Sequence, residues 1–172
     1  MKAIETKYRG FRFRSRLEAR WAVFLDALGI RWDYEPEGYQ LNTGEWYLPD
    51  FFVHFAARNF CGAKFPRGGY WIEIKPTAPD VLTVQKLADV CIGTSHSGYI
   101  LWGSPWAYGS CTLSRRGGPA QYAPHPMQSA DVEIQWGRFA TAGSSSDYAD
   151  GLRGVLAAKG ARFEHGDRPR LS

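Results

Sequence analysis

The chain has 172 residues, which is enough for one domain with a sizeable core. Its hydrophobic fraction of 44% indicates a globular chain and argues against a disordered one. The formal net charge is +4, a mild excess that favours an anionic partner without identifying it. No apolar run approaches the roughly 20 residues of a membrane-spanning helix, and no signal peptide is visible, so neither membrane insertion nor export is predicted.

The cysteines bear on the cellular compartment. Cys61, Cys91 and Cys111 are odd in number, scattered, and contain no C-x-x-C pair. This usage is typical of a reducing cytosol, so a cytoplasmic location is expected. A zinc site formed by these cysteines with His54 or His96 is an alternative that the lack of paired ligand spacing disfavours.

The first third of the chain predicts a hairpin, a helix and two short strands. Residues 4–13 alternate loosely and suit a short hairpin. A helix is predicted from 14 to 28, with Ser15 as its N-cap and Gly29 as its stop. Its buried stripe has helical spacing and consists of Leu17, Trp21, Phe24, Leu25 and Leu28. Residues 30–41 predict two short strands.

Two apolar strands follow, each with carboxylates. The first is predicted over 46–53 and contains Asp50. The second is predicted over 70–75 and is closed by Pro76. Because side chains alternate along a strand, Glu73 and Lys75 share one face, while Ile72 and Ile74 point to the other. The Gly-rich stretch 56–69 is expected to be a loop.

The remainder predicts a parallel strand pair and a less regular C-terminal part. A helix over 80–91 between the strand at 70–75 and another at 98–103 indicates a right-handed crossover. Weaker predictions are strands near 111–113 and over 132–136, a linker at 143–146 and a helix from 147 to 159, interrupted by Gly151 and Gly154. The expected fold class is α/β, with a mixed central β-sheet flanked by helices. The tryptophans in strands, Trp32, Trp46, Trp71 and Trp102, are expected in the core rather than as base-stacking platforms.

One combination of residues resembles a known family. Pro49-Asp50 and Glu73-Ile74-Lys75 each lie on an apolar strand, and Phe13-Arg14-Ser15-Arg16-Leu17-Glu18 begins the preceding helix. This order is similar to the signature of the PD-(D/E)xK nuclease superfamily over residues 14–103, in its small phage-type, resolvase-like and transposon-endonuclease-like branches. The resemblance implies a restriction-endonuclease-like core. It predicts a nuclease domain over 1–142, with a C-terminal helix and basic tail over 143–172 packed on or extending it.

The resemblance also implies a site. Asp50 and Glu73 would bind Mg²⁺, or Mn²⁺ as a substitute, the Ile74 carbonyl would add an oxygen, and Lys75 would serve the attacking water. Mg²⁺ prefers such hard oxygen ligands, and two carboxylates about 4 Å apart repel by about 4 kcal/mol at an effective dielectric of 20, so the pair favours a cation. Glu18 would act as a catalytic residue that supports the metal. Its alternative is a capping box, because Ser15 and Glu18 fit the S-x-x-E pattern.

The predicted function is therefore Mg²⁺-dependent endonucleolytic cleavage of DNA in a bacterial or phage-infected cell. A structure-specific nuclease similar to Holliday-junction resolvases and a non-catalytic DNA-binding subunit of a larger complex are the alternatives, and a homodimer stays open. Basic side chains predicted to contact DNA lie near the N-terminus and in the 56–69 stretch: Arg9, Arg12, Arg14, Arg16, Arg58, Lys64 and Arg67. For the N-terminal group, a solvated charged hairpin is an equally good explanation.

Overall fold

A computed structural model describes residues 4–55, 58–60, 63–65, 68–113, 121–123 and 147–163. The chain divides into two compact units. The first consists of Met1–Ile30, Ser104–Ala107 and Gln128–Ser172, and the second of Arg31–Gly103 and Tyr108–Met127. The predicted boundary at residue 142 stays a prediction. In the described part, no helix is both long and apolar enough to cross a membrane.

Within the described residues the chain forms twelve strands and three helices. The strands are β1 (Thr6–Tyr8), β2 (Phe11–Phe13), β3 (Trp32–Tyr34), β4 (Tyr39–Gln40), β5 (Trp46–Tyr47), β6 (Phe51–Phe55), β7 (Arg58–Phe60), β8 (Ala63–Phe65), β9 (Gly68–Lys75), β10 (Ser97–Ser104), β11 (Ala107–Leu113) and β12 (Gln121–Ala123). The helices are α1 (Arg16–Ala27), α2 (Val81–Thr94) and α3 (Asp147–Gly160).

The first unit begins with the predicted hairpin. β1 and β2 pair antiparallel, and the two residues between them, Arg9 and Gly10, have φ angles of +49° and +84°. Positive φ at both central positions is typical of the tight turns that match the twist of paired strands. The hairpin prediction is confirmed.

The helix α1 follows the hairpin and has Ser15 as its N-cap, as predicted. The Oγ of Ser15 accepts a hydrogen bond from the backbone N–H of Glu18 at 3.2 Å. Of the predicted stripe, Trp21, Phe24, Leu25 and Leu28 are buried, whereas Leu17 is half-buried. The helix is two residues shorter at its start and one residue shorter at its end than predicted.

The helix α3 packs against α1 in the same unit. A Cβ added at Gly154 would lie 2.9 Å from a ring carbon of Phe24, so glycine lets the two helices approach closely. The Nε of Arg153 donates to the carbonyl of Ala27 at 3.2 Å. Gly154 was predicted to weaken this helix, but the close contact gives it a packing role.

The second unit contains a six-stranded mixed sheet in the order β12-β11-β10-β9-β6-β3. The strands β9 and β10 are parallel, as predicted, whereas β6 pairs antiparallel with both β9 and β3. Together with the helices, this confirms the predicted mixed α/β class. The restriction-endonuclease-like core stays a proposal.

The crossover helix α2 begins after Asp80, whose side chain accepts from the Thr83 N–H at 2.7 Å. It ends at Thr94, three residues later than predicted, where Ser95 adopts a φ of +57°. Gly98 of β10 approaches the helix so closely that a Cβ there would lie 2.7 Å from the Cys91 sulfur. The resulting apolar core is formed by Leu41, Trp71, Leu87, Val90, Cys91, Ile100, Cys111 and Leu113.

The predicted continuous strand over 46–53 is wrong. Trp46–Tyr47 pairs with β4, and Phe51–Phe55 pairs with β3 and β9, so Leu48, Pro49 and Asp50 form a break between two strands with different partners. Proline has no N–H to donate to a ladder, which explains the break at this point. The break places Asp50 at the entrance of β6 rather than in its middle.

The prediction of a loop over 56–69 is also wrong. β7 and β8 form an antiparallel hairpin in which Arg58 pairs with Phe65, and β9 already begins at Gly68. Only Cys61-Gly62 separates the two strands, a connection length that favours a hairpin over an irregular loop. Residues 56–57, 61–62 and 66–67 lie outside the described residues, as do the predicted strand at 132–136 and the predicted linker at 143–146.

The tryptophan prediction is partly wrong. Trp32 and Trp71 are buried, and Trp102 is half-buried and packs against the core. Trp46, in contrast, is 71% exposed. It lies in the two-stranded ribbon of β4 and β5, outside the six-stranded sheet.

Candidate active site

Asp50, just before β6, and Glu73, on β9, are brought to neighbouring positions. Phe51 pairs with Ile72, so the next position outward places Asp50 opposite Glu73. Directly opposed residues in an antiparallel pair have Cβ atoms about 4.5–5.5 Å apart and point to the same face. Both residues are only 2% exposed. The break at Pro49 therefore leaves two buried carboxylates side by side.

Asp50 is held by the backbone of the neighbouring strand. Its Oδ2 accepts a hydrogen bond from the N–H of Ile74 at 2.7 Å. A bond from a backbone amide to a carboxylate is charge-assisted and stronger than a neutral one. The orientation of Asp50 is therefore fixed by β9 itself.

Glu73 and Lys75 form the predicted pair on one face of β9. The Nζ of Lys75 donates to Oε1 of Glu73 at 2.5 Å, and the side chains are 34% and 3% exposed, respectively. The second carboxylate oxygen, Oε2 of Glu73, is buried and has no hydrogen-bond partner. A buried charged oxygen without a partner is costly, so this atom marks a position where a cation or a donor would be stabilised.

Tyr47 is a further residue of this cluster. Its hydroxyl is buried and, like Oε2 of Glu73, makes no hydrogen bond with acceptable geometry. Burial, followed by the charge of Glu73, the closeness of the hydroxyl to the Glu73 carboxylate and the charge of Asp50, raises the pKa of the Tyr47 hydroxyl well above its ordinary value. The hydroxyl therefore lies within the electrostatic field of both carboxylates as a neutral donor.

Sequence reasoning missed Tyr47 because it assigned this residue to a continuous strand. Three positions before Asp50, on an unbroken strand, it would face the opposite side of the sheet. The break at Pro49 removes that constraint. A signal was available in the sequence, since Pro49 stands between the two residues.

The donor set of this cluster fits a hard divalent cation. Asp50 and Glu73 supply two carboxylates against one ammonium from Lys75, which leaves a net charge of −1. Within the described part of the chain, no three His, Cys, Asp or Glu side chains are grouped as metal ligands. Mg²⁺ is usually held by one or two carboxylates, with waters and substrate phosphate completing its shell, so two carboxylates suffice. The predicted role of the Ile74 carbonyl stays a prediction.

Glu18 lies in the first unit, where it caps α1. Its Oε1 accepts from the Ser15 hydroxyl at 2.6 Å, and its Oε2 accepts from the N–H of Arg14 at 3.2 Å. Both carboxylate oxygens thus contact the start of the helix, as in a capping box, with the N–H of Arg14 as one of the donors. The predicted metal-supporting role of Glu18 stays a prediction.

The predicted DNA contacts differ in their surroundings. Arg9 forms an ion pair with Asp26 at 2.9 Å, and Arg12 forms one with Glu5 at 2.6 Å. Both cations already have a counter-charge, whereas Arg16 has none among the described residues. Arg14 has further contacts of its own. Arg58 and Lys64 lie in the β7–β8 hairpin, and the structure describes only their backbone; Arg67 lies outside the described residues.

The alternative of a zinc site gains no support. Cys91 and Cys111 are buried free thiols, and burial raises the pKa of both, that of Cys91 to about 12. Zinc binds the thiolate, which such burial disfavours. His54 instead lies with its Nε2 2.5 Å from Oδ2 of Asp33. Cys61 lies outside the described residues.

Comparison with family models, with curated proteins and with solved structures finds no match. Any functional assignment therefore depends on the residues themselves. Of the predicted site residues, the second unit contains Asp50, Glu73 and Lys75 in one cluster, to which it adds Tyr47.

Proposed function

We propose that this protein is a metal-dependent endonuclease that hydrolyses DNA phosphodiester bonds, with the restriction-endonuclease-like core of the PD-(D/E)xK type. One observation carries the proposal: Asp50, at the entrance of β6, and Glu73, on β9, are buried and opposed, and the ammonium of Lys75 contacts the Glu73 carboxylate. The order of β6, β9, α2 and the parallel strand β10 supports the same proposal.

The chain's own residues would share the work. Asp50 and Glu73 would hold Mg²⁺ through carboxylate oxygens, with Oε2 of Glu73 the atom that still lacks a partner. When bound, the ion would offset charge on the phosphate and lower the pKa of water. Lys75, 34% exposed, would orient the attacking water and offset the charge that develops on the phosphate.

Charge balance agrees with a phosphodiester substrate. The two carboxylates and Lys75 sum to −1, and a divalent cation brings the cluster to +1. A phosphodiester carries a single negative charge, so its binding would neutralise the site. Without the cation, the same cluster would repel DNA.

The test is cleavage of four DNA substrates: linear, nicked, flapped and four-way. We expect cutting in Mg²⁺ or Mn²⁺ and none in EDTA. Cleavage of the flapped and four-way substrates alone would favour the alternative of a structure-specific nuclease. Tight DNA binding without cutting in either metal would overturn the proposal and favour a non-catalytic DNA-binding subunit.

A further inference from the structure

A second cluster of interest lies wholly within the first unit, around Trp106. This residue lies in the turn between β10 and β11. The guanidinium carbon of Arg20, on α1, is 5.6 Å from the centroid of the Trp106 ring, and the ammonium nitrogen of Lys159, on α3, is 5.9 Å from it. An indole ring attracts cations through its π faces, so it can hold both basic side chains in place.

Arg16 adds a third cation next to this pair. It lies one turn before Arg20 on α1, about 6 Å away along the helix axis. Side chains four residues apart lie on the same face of a helix, where two like charges repel. We call Arg16, Arg20, Lys159 and Trp106 the Trp106 cluster.

The Trp106 cluster differs from the arginines of the β1–β2 hairpin in its ion pairing. Among the residues that the structure describes, no carboxylate pairs with Arg16, Arg20 or Lys159, in contrast to Arg9 and Arg12 of the same unit. The Nε atoms of both Arg16 and Arg20 are buried without a hydrogen-bond partner. Both arginines are nevertheless only half-buried, so an anionic ligand can reach their guanidinium charge and would offset positive charges that no described carboxylate offsets.

We propose that the Trp106 cluster binds the phosphodiester backbone of DNA. The acceptor that guanidinium groups recognise best is a phosphate or carboxylate oxygen. Three cations on two helices, two of them about 6 Å apart along α1, extend beyond a single phosphate and suit a strand with regularly repeated negative charge. The identity of that strand as DNA rests on the proposed function. Of the four residues, only Arg16 was among the DNA contacts predicted from the sequence.

The experiment measures DNA affinity without cleavage. A fluorescent duplex is titrated in EDTA between 50 and 200 mM salt with wild type, Arg20→Gln, Lys159→Gln and the double variant. Each lost phosphate contact should reduce the slope of log affinity against log salt by about 0.9, so the double variant should lose about 1.8. Arg20→Lys keeps the charge and should keep the slope.

Arg31→Gln is the matched control, because it removes an exposed positive charge that lies outside the Trp106 cluster. Its slope should equal that of wild type. If the double variant lowers the melting temperature and leaves the slope unchanged, the two cations serve only to pack on Trp106 and the proposal fails. An equal slope change in Arg31→Gln would also overturn it, since general charge would then explain the effect.

These outcomes are separable from those for catalysis. A changed slope in a protein that never cuts DNA would support the Trp106 cluster and refute the nuclease. Cleavage by wild type together with an unchanged slope in the double variant would do the reverse.

Discussion

Removing either partner of the Glu73–Lys75 pair should have unequal effects on stability. Lys75→Met leaves the Glu73 carboxylate, 3% exposed, without a partner on either oxygen. Breaking a fully buried pair in this way costs about 3–5 kcal/mol. Because Lys75 is 34% exposed, water can replace part of its contact, and we expect a loss of about 2 kcal/mol. For a chain of this size that corresponds to a fall of about 4–8 °C in Tm.

Glu73→Gln should change stability by less than about 1 kcal/mol, because it removes a buried charge and leaves Lys75 within reach of water. The assay is thermal unfolding of both variants and wild type in EDTA and in Mg²⁺. A ligand at 100 times its Kd stabilises by about 2.7 kcal/mol, so Mg²⁺ should raise the Tm of Lys75→Met most, since no ammonium then competes for Glu73.

Two results would refute this reasoning. The first is equal destabilisation by Lys75→Met and Glu73→Gln in EDTA, which would mean that the carboxylate is not effectively buried. The second is a Mg²⁺-induced rise in the Tm of Glu73→Gln as large as that of wild type, which would place any cation elsewhere. Glu45→Gln is the matched control, because Glu45 pairs with Lys86 at the surface and its loss should leave the response to Mg²⁺ unchanged.

Three further predictions follow from single side chains. Glu18→Gln should lower the free energy of unfolding by about 1 kcal/mol in urea titrations, because the single amide oxygen cannot accept hydrogen bonds from both the Ser15 hydroxyl and the Arg14 N–H in their present positions. An unchanged urea midpoint would contradict the capping role. Tyr47→Phe should raise stability in EDTA by about 1 kcal/mol, since it deletes a buried hydroxyl without a partner; a loss instead would mean that the hydroxyl bonds to Glu73. Burial raises the pKa of Tyr99 from 10.0 to about 12, so above pH 10 the unfolded chain releases a proton that the folded chain keeps, and stability falls as pH rises. Tyr99→Phe should reduce the loss of unfolding free energy by up to about 1.4 kcal/mol per pH unit above pH 10, as measured from Tm. Identical plots of stability against pH for wild type and Tyr99→Phe would contradict this prediction.

Local patterns predicted much of the fold because they act over a few residues. Ser15 and Asp80 cap helices where the sequence placed the starts, since capping needs only a short polar side chain before an apolar periodic segment. Alternation along β9 correctly placed Glu73 and Lys75 on one face. These features depend little on the rest of the chain.

The prediction of one strand over 46–53 failed because pairing with other strands decides where a strand begins and ends. Trp46 and Phe51 fall within one apolar run, yet they pair with different strands, and that choice depends on residues distant in sequence. Pro49 marks the break, but the continuous apolar run on both sides of it favoured a single strand. The same break determines that Trp46 is exposed and that the Tyr47 hydroxyl lies near the carboxylates, neither of which a single-strand pattern could predict.

The most direct test of the central claim is nicking of supercoiled plasmid by wild type and Asp50→Asn. Asn keeps an oxygen that can accept from the Ile74 N–H, so the fold should persist while the charge of the carboxylate is lost. We expect Mg²⁺-dependent nicking by wild type, none in EDTA, and a loss of at least about 10²-fold in the nicking rate of Asp50→Asn at unchanged Tm. Nicking by Asp50→Asn at the wild-type rate would contradict it.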